Sequence, residues 1–133
     1  MLSSRDFRRA AEQRFTTAQF LLENGFTLNA FYLAGYAVEC ILKGLVMHLT
    51  PVADQQATFQ RLKSGAKMHY PEHLKEELKS LDLLIPAGIV KRFRRFDWTT
   101  DLRYESGRRP ASEVRGFLKG AAAAVKWATG EMK

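Results

Sequence analysis

Glu39 stands at the centre of an otherwise apolar stretch, Asn29 to Leu45, NAFYLAGYAVECILKGL. A carboxylate in that setting has two chemical uses. It can pair with Lys43, four residues on, in the orientation that favours an ion pair along one helix face. Alternatively, it can be held beside an arginine-bearing site. A second concentration of chemistry is Lys91-Arg92-Phe93-Arg94-Arg95-Phe96, the densest basic cluster in the chain. At helical spacing Phe93 and Phe96 face a core while Arg92 and Arg95 share an adjacent exposed strip. Such a run is either a solvated helix face or a track for phosphates, continued by Arg103, Arg108 and Arg109. A phosphate track would bind nucleic acid with little sequence preference and weaken steeply with salt. The histidines are His48, His69 and His73. His69 and His73 have a spacing that metal ligands use on a helix, but Pro71 lies between them and no third ligand clusters with them. No metal site and no cofactor is therefore expected, and His69 and Tyr70 are read as packing on or capping the start of a helix.

These groups need elements to position them, and the periodicity supplies helices. Ala30, Ala34, Ala37, Val38, Ile41, Leu42 and Leu45 recur at spacings of three and four, one helical face. Ala30, Ala34, Gly35 and Gly44 are too small to fill a core, so neighbouring helices can approach closely. A preceding helix runs from Ser3 or Ser4 to Asn24, with Ser3 and Asp6 placed as in a capping box and Asn24-Gly25 as a left-handed stop. The second begins near Thr27 and ends before Pro51. Ala53 to Lys67 holds a short helix broken at Ser64-Gly65. Pro71 suits the first turn of a third helix carrying Leu74, Leu78 and Leu81. A fourth starts near Ala87 and carries Ile89, Val90, Phe93, Phe96 and, at its end, Trp98. After a loop, ESGRRP, Ser112 caps a final helix with Val114, Phe117, Leu118, Ala121, Ala122, Val125 and Ala128 on its apolar face. No segment alternates as a strand does. The expected fold is all-α, an antiparallel up-and-down bundle of four to five helices in one domain, residues 1–133.

Bulk properties narrow the classes. The chain has 133 residues, 46% apolar and 26% charged, ordinary values for a folded protein with one core. Its one cysteine, Cys40, rules out an internal disulfide framework or a cysteine-based zinc site. The N-terminal MLSSRDFRRAAEQRF has no apolar run of the signal-peptide kind, and a cytoplasmic setting is expected. Leu28 to Leu49 is long enough to cross a bilayer, but Glu39 and Lys43 lie near its middle, where each charge costs about 2.5–3.5 kcal/mol. A buried bundle helix is expected, with no membrane partner. The formal charge is +7. From Ile89 to Lys119 nine Lys or Arg residues stand against four acids, so five of those charges lie in that segment, which suits a polyanionic partner.

The segment around Glu39 resembles the second helix of HEPN domains, small helical domains of prokaryotic toxins and antiviral systems. The matching residues are Ala30, Tyr32, Ala34 to Ala37, Glu39, Leu42, Lys43 and Leu45. Around it, Ala10, Ala11 and Glu12 in a first helix ending at a glycine, the stretch His69 to Leu74, Leu102-Arg103-Tyr104 and an alanine-rich last helix follow the family's order. The resemblance implies a homodimer and, in the family's ribonucleases, an Arg followed four to six residues later by a His. There the histidine moves a proton while the arginine stabilises phosphate charge. This chain departs from that pattern. No arginine stands at that distance before any histidine, and Arg108, Arg109 and Pro110 occupy the places after Arg103. Catalysis is left open. Arg103 and Tyr104 are the best-placed functional candidates, with Arg103 expected either to grip phosphate or to pair with Glu39.

Three functions compete on this reading. The first is a toxin–antitoxin or defence protein that binds RNA or nucleotide phosphates through Lys91, Arg92, Arg94, Arg95, Arg103, Tyr104, Arg108 and Arg109. The second, also implied by the resemblance, is the partner or regulatory module of a minimal nucleotidyltransferase. The third is a dimerisation scaffold without a small ligand. Nine Phe, two Trp and four Tyr are many large apolar groups for so small a core, which points to an interface in each case.

Overall fold

The computed structural model describes residues 1–133, the side chain of Ala66 apart. It is all-helical: α1 (Ser4–Glu23), α2 (Thr27–Leu49), α3 (Gln55–Leu62), α4 (Pro71–Lys79), α5 (Ala87–Phe96) and α6 (Ala111–Glu131). Short 3-10 turns at Val52–Asp54, Ala66–His69 and Thr100–Tyr104 join them. The helix count exceeds the expected four to five by one, because the short segment expected between Ala53 and Lys67 forms a helix of its own, Gln55–Leu62.

α1 begins with the full reciprocal cap. The Asp6 amide donates to Ser3 Oγ at 3.1 Å and the Ser3 amide donates to Asp6 Oδ2 at 2.8 Å, with aspartate standing in for the usual glutamate. The Ser3 amide holds the Asp6 carboxyl below its ordinary range. Its contribution to stability is therefore present above that range and fades as the pH falls through the lowered value. The helix stops at Gly25, whose φ of 83° is left-handed. The Phe26 amide reaches the Leu21 carbonyl at 2.9 Å and the Gly25 amide reaches Leu22 at 3.1 Å, the paired bonds of a Schellman stop. Two residues later α2 starts back antiparallel to α1.

α2 is the hub, with α1, α6 and α4 packed around it. It is long and apolar enough to cross a membrane, yet 78% of that apolar window is buried inside the protein. The small residues have separate uses. A Cβ at Gly44 would lie 3.0 Å from Phe7 Cβ and 3.2 Å from the Ser4 carbonyl, so α1 crosses there at close range. At Gly35 the neighbour is not a helix but the indole of Trp98. Around Phe117 of α6, the rings of Phe31 and Phe93 pack at a tilt, with centroid distances of 4.6 and 5.3 Å.

Two sequence expectations need correcting. Trp98 does not continue α5, because Asp97 takes a left-handed conformation with φ 59° and ends the helix. That turn swings the indole back onto α2. Ser112 does not cap α6 either. The helix starts at Ala111 directly after Pro110, and no side chain caps it.

Candidate functional site around Glu39 and His69

Glu39 faces inward from α2 and is 6% exposed. A carboxylate so placed is costly unless every lone pair is answered. Lys43, itself 7% exposed, reaches Oε2 at 2.8 Å. Oε1 lies 3.0 Å from Nδ1 of His69, in the 3-10 turn before α4. The helix spacing thus supplies one partner and the fold supplies the other. Among the described residues no ion pair joins Glu39 to Arg103, so the expected Glu39–Arg103 contact is replaced by Lys43 and His69. Each carboxylate oxygen already holds one partner, so the buried charge is answered without a guanidinium.

A carboxylate on Nδ1 makes that nitrogen the donor and leaves Nε2 to accept a proton in the neutral ring. The imidazole is one-third exposed, at 33%, so this nitrogen belongs to a group that solvent reaches. Tyr36 stands edge-on to it with ring centroids 6.0 Å apart. Burial pushes the Tyr36 hydroxyl well above its ordinary range, with Tyr32 and Glu39 acting the same way and the Arg103 charge opposing. Tyr36 is consequently a hydroxyl donor, not a phenolate, at any ordinary pH. The 3-10 turn that carries Arg103 packs on α2, and its Thr100 meets the hydroxyl of Tyr70, the residue after His69, at 3.5 Å.

Behind this group Trp98 closes the wall. Its indole N–H is shared between the carbonyls of Phe31 and Tyr32 at 3.1 and 3.2 Å. Its ring meets Tyr36 at 5.4 Å, Tyr70 at 6.1 Å and Tyr32 at 6.2 Å. Cys40 sits half-buried on α2, and desolvation raises its thiol above the usual range. We expect it to alkylate with iodoacetamide at pH 8 much more slowly than a free thiol. Mass spectrometry over time checks this, and labelling at the free-thiol rate would contradict it.

The cationic residues singled out in the sequence are not equivalent. Arg92 lays its stem over Gly120 and donates from Nη1 to the Gly116 carbonyl at 3.1 Å, tying α5 to α6. Arg94 pairs with Glu72 at 3.3 Å. Arg109 lies 4.4 Å above the Phe31 ring, pairs with Glu113 at 3.5 Å, and its amide donates to Thr27 Oγ1 at 3.0 Å. It fastens the loop before α6 to the start of α2. Arg95 rests against the ring of Phe96 and Arg103 against that of Tyr104, at 5.5 and 5.0 Å. Among the described residues, Lys91, Arg95, Arg103 and Arg108 carry no carboxylate partner within ion-pair distance. His73 turns to Glu72 at 3.6 Å instead of sharing a ligand position with His69.

Sequence reasoning missed the role of His69, since nothing in the spacing of a 3-10 turn says which helix it will meet. The unanswered second oxygen of a buried Glu39 was the one available signal for such a partner.

Comparison with known proteins adds one positive result. No curated protein and no solved structure matches the chain. The HEPN domain family profile matches residues 4–121, which takes in α1, Glu39, His69, Arg103 and most of α6. The all-helical architecture agrees with that assignment, and the chain belongs to the HEPN domain family.

Proposed function

We propose that the protein binds RNA or nucleotide phosphates on the face around His69 and Arg103. The observation that carries this reading is the solvent-reachable imidazole held on Nδ1 by a buried glutamate, with Arg103 in a turn that packs on the same helix and meets Tyr70. Arg103 supplies a planar fork suited to phosphate oxygens. Lys91, Arg95 and Arg108 extend the attraction along the backbone. Arg92, Arg94 and Arg109, engaged within the protein, support this surface without leading it. His69 and Glu39 form a pair able to move a proton beside a bound phosphate, the requirement for attack by an RNA 2′-hydroxyl. The working unit in this reading is a cytoplasmic homodimer of toxin–antitoxin or defence type. Service as the helical partner of a minimal nucleotidyltransferase stands as the alternative.

Labelled RNA, with EDTA present, tests the reading. Binding should weaken as salt rises, and Arg103→Ala should weaken it and reduce the salt slope by about 1. Salt-insensitive binding, or none at low ionic strength, contradicts the proposal. Cleavage abolished by His69→Gln with binding retained would assign the proton transfer. Binding without cleavage would leave a phosphate-binding surface.

A further inference from the structure

A concavity lies between the start of α4 and the end of α5, with Trp98 in its wall. It measures about 180 Å³ and is lined by Tyr70, Val90, Phe93, Arg94, Asp97 and Trp98, among others. A cavity of about 150 Å³ accepts a benzene ring, so this one suits a single planar heterocycle and not a whole nucleotide. Three of its lining residues are aromatic, and Pro71 and Val90 add apolar surface. Tyr70 and Phe93 meet Trp98 at centroid distances of 6.1 and 5.4 Å. Its charged groups are the Arg94–Glu72 pair and the solvent-exposed carboxylate of Asp97. Asp97 ends α5 in the left-handed conformation and, among the described residues, its carboxylate has no hydrogen-bond or ion-pair partner. Arg94 reaches across the mouth to Glu72 at 3.3 Å.

We propose that this pocket takes the base of the bound nucleotide and selects guanine. The inference rests on the phosphate reading above, since His69 immediately precedes Tyr70 and Trp98 borders both places. An unstacked base is commonly held by aromatic side chains and read on its edges by hydrogen bonds. A carboxylate only accepts, so it calls for two adjacent donors. Guanine presents them as N1–H and the N2 amine. Adenine places the lone pair of N1 beside its amine, and that lone pair would face the carboxylate. A guanidinium complements the other edge, where guanine offers O6 and N7. Asp97 therefore matches the donor edge of guanine, and Arg94 matches O6 and N7 by exchanging its exposed Glu72 pair for the base.

The test uses the full chain carrying Trp127→Phe, so that Trp98 is the only tryptophan, and follows its emission. GMP, IMP, AMP and inorganic phosphate are titrated in turn, and again with Asp97→Asn. Asparagine tolerates the left-handed conformation, so an unchanged melting temperature is expected and serves as the folding check. GMP should bind about 10-fold or more tighter than AMP, with IMP between them because it lacks the N2 amine. Asp97→Asn should remove most of that preference and leave the affinity for inorganic phosphate unchanged. Equal affinities for GMP and AMP, or a guanine preference that survives Asp97→Asn, would overturn the base assignment. If RNA binding still depended on Arg103 in that case, the phosphate reading would stand alone. Failure of every nucleotide and of inorganic phosphate to bind would remove both.

Discussion

Glu39→Ala is expected to cost about 3–5 kcal/mol of stability, because it leaves the Lys43 ammonium buried without its counter-charge. Few single substitutions in a domain of this size reach that range, and it would be a large share of a total stability of about 5–15 kcal/mol. Chemical denaturation of both proteins measures it. The companion variant Glu39→Ala with Lys43→Met separates pairing from packing. With no charge left to strand, the double variant should recover much of the loss, since apolar replacement of a buried pair is commonly neutral or better. If the single and double variants were equally unstable, the pair would not be the source of the cost. The double variant also frees His69 from its anchor. Cleavage or tight phosphate binding that needs an oriented imidazole should then be lost even though the fold persists.

The second large effect is steric. Gly35→Ala would drive a methyl carbon into the indole of Trp98, inside any real contact distance. The indole has no easy retreat, because its N–H is fixed to the carbonyls of Phe31 and Tyr32 and its rings are hemmed by Tyr36, Tyr70 and Phe93. Overpacking of this kind costs about 1–3 kcal/mol, occasionally more. Trp98→Ala should cost about 3–5 kcal/mol by emptying the same space. The two should be strongly non-additive: once the indole is gone, alanine at position 35 is unopposed and suits the helix better than glycine. Additive losses would show that position 35 and Trp98 do not compete for the same volume.

These two predictions mark where the sequence was legible. The period of α2, the Asn24-Gly25 stop, Pro71 at the first turn of α4 and the apolar face of α6 are local rules, written within a few residues of where they act. The Glu39–Lys43 pair is equally local. His69 meeting Glu39, Trp98 folding back onto Gly35 and Arg109 clasping Phe31 are not. Each depends on how a turn redirects the chain, and one left-handed residue, Asp97, decides the direction for Trp98. Glycine at 35 and a carboxylate at 39 were visible as anomalies in an apolar helix, but their partners were set by turns that periodicity does not describe. The basic segment shows the opposite limit. Its composition was plain, yet Arg92, Arg94 and Arg109, which have partners within the protein, could not be told from Lys91, Arg95, Arg103 and Arg108 without knowing what lay beside them.

The long reach of these contacts orders the events of folding. α1 and α2 are joined by a tight stop and can pair while little else of the chain is in place. His69 must find Glu39 across 30 residues, the indole of Trp98 must find Phe31 across 67, and Arg109 must find Thr27 across 82. Closing wider loops costs more chain entropy and slows assembly. The helical hairpin is therefore expected to form first, and the face around His69 and Trp98 to close only after the segments that follow α2 have docked on it.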